Sequence, residues 1–169
     1  PSGQGPRYLI CSMLGVTRGE AANTPEEVIA MIQSSVSADG SQPRGVFCYT
    51  RTGDVRTKTR DWAIDDAVSR LTKLGIETNV TNRRLPKGQA GVIGVMMGAP
   101  SFDWESSGSV FLPGALAENL TSFGGRFDTS SQQTPISDSI RHGAAGASGA
   151  VSEPYALQFK FPTPYLFVY

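Results

Sequence analysis

Apolar residues fall in short blocks along this chain, and the spacing inside the blocks alternates between strand-like and helical. Tyr8 to Leu14 is a strand-like run. After a Gly-Thr-Arg-Gly turn region, Asn23-Thr24-Pro25-Glu26-Glu27 marks a helix start, with Thr24 at the N-cap, Pro25 at the first helical position and Glu27 completing a capping box. Val28, Ile29, Ile32 and Val36 follow at helical spacing and predict an apolar stripe that packs on a sheet, in a helix ending near Ala38. Val46 to Tyr49 reads as a strand. A second helix carries Trp62, Ile64, Val68, Leu71 and Leu74 and closes at Gly75. Ile76 to Thr81 alternates as an edge strand does, and Val92 to Met97 is continuous, as in a strand buried on both faces.

Strand, helix, strand, helix, strand predicts an α/β fold, an open and mostly parallel sheet with right-handed crossover helices of the Rossmann-like, flavodoxin-like or caspase-like kind. The C-terminal half is looser. Ser109 to Leu112 is expected as strand, Ala115 to Leu120 as a short helix, and Thr134-Pro135 as the cap of a helix reaching Arg141. Ala144 to Val151, small and apolar, is expected as a central strand, and Tyr165 to Tyr169 as another strand. The 169 residues fit one domain, with 1–7 a flexible start and 123–133 a mobile loop. The way the chain opens and closes suggests a fragment of a longer protein.

Composition narrows the function classes. Fifteen basic and fifteen acidic residues leave no net charge to draw nucleic acid or anionic lipid. No run approaches the roughly 20 apolar residues that cross a bilayer. Nineteen Gly and eleven Pro predict many turns. Cys11 and Cys48 are too few for a disulfide framework and lack zinc-site spacing; both sit in strand-like runs, as small buried hydrophobes or as a disulfide between neighbouring strands.

Candidate chemistry is sparse. His142 stands at a helix end before Gly143, where it can meet the last carbonyls or serve as a base. No metal spacing surrounds it, and neither a metal nor a cofactor is expected. Gly146-Ala147-Ser148-Gly149 resembles part of a nucleophile elbow but has Ala150 where the second glycine belongs; a close-packed turn is the plainer reading. Asp103, Glu105, Ser148 and Glu153 lie next to expected strand ends, so they either converge in the crevice beyond the carboxyl edge of the sheet or end strands at the surface. Arg51, Arg56, Lys58 and Arg60, with Asp54 and Asp61, read as a solvated helix start with local ion pairs.

Leu112 to Gly125 (LPGALAENLTSFGG) and Arg141 to Ala156 (RHGAAGASGAVSEPYA) resemble a bacterial family of unknown function, TIGR-type, found in genomes that carry exosortase and its surface-protein sorting system. Val46 to Gly75 and Phe102-Asp103-Trp104 share the resemblance, which covers most of the chain. It implies longer family members and an exported, periplasmic or cell-envelope location. In the family that it resembles, position 119 is often His and position 142 usually small or apolar; here they are Asn119 and His142, which departs from any shared histidine chemistry.

Three functional expectations follow. The first is a non-catalytic structural or binding component of a larger envelope-associated assembly, with other protein subunits as partners, peripheral contact with a membrane complex and no nucleic acid. The second is a caspase-like or gingipain-like hydrolase, intact or degenerate, with Ser148 as nucleophile, Asn119 or His142 as base and the Gly149 N–H in an oxyanion hole. The third is a small-ligand module with a pocket lined by Asp103, Ser148 and Glu153.

Overall fold

A computed structural model describes residues 17–128 and 132–168 together with the backbone of 10–12. Its six strands form one sheet: β1 (Ile10–Ser12), β2 (Val46–Thr50), β3 (Glu77–Thr81), β4 (Val92–Met97), β5 (Phe111–Asn119) and β6 (Gly146–Ala150), in the spatial order β1-β6-β5-β4-β2-β3. Strands β2 to β6 are all parallel, and β1 closes one edge antiparallel to β6. The expected α/β fold is therefore present. Leaving β1 aside, the parallel strands run in the flavodoxin-like order, with the reversal of direction between β2 and β4.

Helix α1 (Pro25–Ala38) starts as its sequence dictates, with the Thr24 hydroxyl accepting the Glu27 N–H and the Glu27 carboxylate accepting the Thr24 N–H. Its buried face is not the expected one. Met31 is buried and Val28 packs on the core, whereas Ile29, Ile32 and Val36 are 54%, 49% and 70% exposed. The helix lies over β5 and comes closest to it near Gly114. Ser34 accepts the Gly114 N–H, and a Cβ on Gly114 would sit 2.6 Å from that of Ala38. Helix α2 (Val55–Lys73) covers the other face of the sheet, packing Ile64, Ala67 and Leu71 on Tyr49 and Met96. It ends at Leu74 with Gly75 at φ 72°, the left-handed geometry expected there.

The second half departs from the sequence pattern in one instructive place. Residues 111–119 form a single strand, although Ala115 to Leu120 has a helix-former composition. Burial between β4 and β6 outweighs that local preference. Pro113-Gly114 makes a bulge: β5 has four residues between Phe111 and Leu116 where β4 has one between Val92 and Gly94. Short helices α3 (Trp104–Ser107) and α4 (Ser137–Arg141) pack on the α1 side. Thr134 does not cap α4; its hydroxyl bonds the Phe102 backbone instead.

The C-terminal segment is not a strand. It crosses α2 and ends in a 3₁₀ turn, Pro164–Phe167, that inserts Phe167 against Phe47, with ring centroids 4.7 Å apart, beneath the Tyr49 hydroxyl's bond to the Pro164 carbonyl. Residues 1–7 and 129–131 lie outside the described residues. The flanks of the expected mobile loop are tied down, Phe123 to the Gln133 side chain and Gly125 to Ala150. Strands β1 and β2 are separated by β6, β5 and β4, which puts Cys11 and Cys48 about 19 Å apart and rules out a disulfide between them. Cys48 is a free, fully buried thiol, pushed up to about 12 by burial and the nearby Glu77 charge.

Candidate functional site

Register decides which candidates can meet. Tyr49, Met96, Glu118 and Ser148 are neighbours in one cross-sheet row and share the α2 face, since paired residues of adjacent strands point the same way. Asn119 is one residue further along β5 and points to the opposite face. There its amide clamps Ala99, accepting the Ala99 N–H at 3.0 Å and donating to the Ala99 carbonyl at 3.1 Å. Asn119 and Ser148 therefore form no dyad. His142 stands at the end of α4, before β6 begins, with Nδ1 2.8 Å from the Asp138 carbonyl; Ser148 is the middle residue of that strand. The hydrolase constellation is not assembled. The Ser148 hydroxyl has no hydrogen bond among the described residues, and Gly149 has ordinary strand geometry, not positive φ.

The expected pocket of Asp103, Ser148 and Glu153 is likewise not formed. Asp103 caps α3, where the Ser106 N–H holds its carboxyl below the ordinary range, and Glu105 is exposed two residues further on. Glu153 lies after β6, and Ser148 lines neither cleft described below.

The buried chemistry that the sequence reading missed is an ion pair. Arg60 and Glu118, each 3% exposed, meet side by side, and the second Arg60 nitrogen donates to the Met97 carbonyl. Burial pushes the Glu118 carboxyl above its ordinary range while the Arg60 charge pulls it down. Arg60 is thus not part of a solvated helix start, although Arg51 and Arg56 are, paired with Asp61 and Asp54. The signal was legible: Thr57, Arg60, Ile64, Ala67 and Leu71 form the buried stripe of α2 at three- and four-residue spacing.

The reversal between β2 and β4 would be the expected ligand crevice, but the protein fills it. A Cβ on Gly98, just past β4, would sit 2.7 Å from the Arg56 backbone, so the first turn of α2 rests directly on the end of β4. The open cleft is displaced to the carboxyl ends of β5 and β6. It encloses about 290 Å³ between Arg56 of α2, Leu120 to Ser122 and Glu153 to Ala156. Glu153 accepts the Tyr155 N–H at 2.8 Å, and the Ser122 hydroxyl together with that N–H holds its carboxyl below the ordinary range. Tyr155 and Ala156 have φ of 61° and 48°, the two non-glycine positive-φ residues among those described. A bond from the Thr59 hydroxyl to the Ala156 carbonyl and one from Lys160 to the Pro154 carbonyl hold this turn in place.

No group of three or more His, Cys, Asp or Glu side chains among the described residues could hold a metal ion, and no helix there is long and apolar enough to cross a membrane. Comparison with family models, with curated proteins and with solved structures finds no match.

Proposed function

We propose that the chain is a binding module that holds a small polar ligand in the cleft at the carboxyl ends of β5 and β6. The observation that carries this is the pair of left-handed residues Tyr155 and Ala156 in the cleft wall, since strained backbone of this kind persists where a binding surface is pre-organised. Open α/β sheets bind ligands beyond this edge, which supports the same reading. The wall offers an ionised carboxylate, a guanidinium and three hydroxyls, a set that suits a zwitterion such as an amino acid or short peptide. Titration of the chain with amino acids and dipeptides, followed by backbone NMR, should shift residues 120–122 and 153–156 together, and Glu153→Gln should abolish the response. Because Glu153 is held below its ordinary value of 4.5, binding should persist at that pH and fade only below it. Shifts elsewhere, or none, overturn the reading.

A second reading, a component of an envelope-associated assembly, is favoured by α1. Ile29, Ile32 and Val36 present three large apolar side chains to solvent along one helix face, a surface of the kind that partner subunits cover. The envelope location rests on the family resemblance. Site-specific crosslinking from position 33 in the native cell should give a discrete protein adduct that Ile32→Asp removes without lowering the thermal midpoint of the isolated chain; persistence of the adduct in Ile32→Asp would sink this reading.

A further inference from the structure

A second cleft, lined by other loops, has a different chemistry. It encloses about 470 Å³ between the loop that follows β3, which supplies Arg83, Arg84 and Lys87, and the segment after β4, which supplies Ser101, Asp103 and Ser106. The arginines elsewhere on this surface mostly face carboxylates: Arg51 meets Asp61 and Asp65, Arg56 meets Asp54, Arg70 meets Asp66, and Arg141 meets Glu27. Among the described residues, none of the three cations of the cleft has a carboxylate at salt-bridge distance, although the charges of Arg84 and Asp54 act on one another from further away. Arg84 donates to the hydroxyl and carbonyl oxygens of Ser101, at 3.0 and 3.4 Å, and Lys87 donates to the Ser106 carbonyl. Arg83 has no side-chain hydrogen bond or ion pair among the described residues.

The loop that displays these charges is anchored. Leu85 and Pro86 are buried between Arg84 and Lys87, the Pro86 carbonyl accepts the Ser107 hydroxyl at 2.7 Å and the Ser109 hydroxyl at 3.1 Å, and the Gly88 N–H bonds Ser107. Two of the cations are thus aimed by neutral oxygens that orient them without cancelling their charge. Asp103, the acid in the wall, is committed to capping α3. The lining carries three positive charges against one negative in a chain of zero net charge, so the attraction is local to this cleft.

We propose that this cleft binds a small multivalent oxyanion, a molecule carrying adjacent phosphate or carboxylate groups, through Arg83, Arg84 and Lys87. Guanidinium forks match such groups in pairs, while the lysine adds a point charge. The test is calorimetric titration of the chain with inorganic triphosphate and, in parallel, with citrate, which separates phosphate from carboxylate sources. Saturable binding is expected, weakened about tenfold or more in Arg84→Gln/Lys87→Gln, whose side chains are exposed and whose loss leaves the fold intact. Asp103→Asn keeps a good helix cap while removing the one negative charge, and should tighten binding severalfold, an outcome a merely structural role would not produce. Glu153→Gln in the other cleft should leave the affinity unchanged. Absence of binding by both anions at millimolar concentration, or equal affinity in the double variant at an unchanged thermal midpoint, overturns the proposal.

Discussion

The two halves of the sheet are built by opposite means. Around β2, β3 and β4 the faces are covered by large side chains: Ile64, Leu71, Phe167 and Tyr49 on one side, Trp104 and Leu85 on the other. Around β5 and β6 half of the strand residues, seven of fourteen, are alanine or glycine, and backbone comes close to neighbouring segments. A Cβ on Gly149 would sit 2.7 Å from Ile136 and 3.0 Å from the Gly125 nitrogen. The α2 face of this half is thinly covered, leaving Leu116 45% exposed. The first turn of α2, resting on Gly98, fills the β2–β4 crevice, and the open cleft lies over β5 and β6.

If this contrast is right, the contact that joins the halves should be the most sensitive. Arg60 belongs to the helix covering the first half and Glu118 to a strand of the second, and both are desolvated. Arg60→Ala strands a buried carboxylate, and the expected loss is about 3–5 kcal/mol in urea unfolding. The double change Arg60→Met/Glu118→Leu removes both charges and should recover most of that loss. Equal destabilisation by single and double variants would show that the pair acts through shape and not charge.

Within each half the damaging direction of substitution should differ. Leu71 is fully buried, and Leu71→Ala opens a cavity among rigid neighbours, at about 2–5 kcal/mol. In the second half Ala147, 3% exposed beneath α4 and α1, should be damaged by enlargement: Ala147→Leu is expected to cost about 1–3 kcal/mol through overpacking. Thermal unfolding of both variants measures this directly. An unperturbed Ala147→Leu would mean that the small-residue strands are not close-packed, and the contrast would fail.

The same contrast explains what the sequence revealed. In the first half, apolar periodicity and helix caps are local signals, and Thr24, Pro25, Glu27 and Gly75 marked element ends correctly. In the second, Ala-Leu-Ala-Glu-Asn carries helix propensity but sits in a strand, because the determinant is long-range burial between β4 and β6. The α1 stripe misled because the helix is rotated from the expected face: it buries Met31 and packs Val28 on the core, leaving Ile29, Ile32 and Val36 outside. For the sites, Glu153 and Tyr155 were visible as an acidic and aromatic cluster after a strand. Arg56 and Ser122 were not, since no local pattern announces that three separate segments meet.

The smallest expected effect has an unusual sign. Alanine to glycine ordinarily destabilises by about 0.5–1 kcal/mol, because glycine gives the unfolded chain more freedom to lose. Ala156 is held at φ 48°, where an L-residue with a Cβ is disfavoured by roughly 1–2 kcal/mol and glycine is not. The second effect exceeds the first, so Ala156→Gly should raise stability by about 0.5 kcal/mol, seen as a higher urea midpoint with an unchanged slope. The carbonyl that accepts the Thr59 hydroxyl belongs to the backbone and is retained, and no side chain beyond a methyl is lost. Tyr155→Gly would be a poorer test, since the Tyr155 ring lies over Lys160 at 5.5 Å and its loss would mask the backbone effect. In the same variant, ligand affinity at the β5–β6 cleft should fall, because a turn free to leave the left-handed region no longer holds Glu153 and Tyr155 ready. A variant that loses stability as an ordinary Ala-to-Gly change does would show that the turn stores no strain, and the case for a pre-organised wall there would go with it.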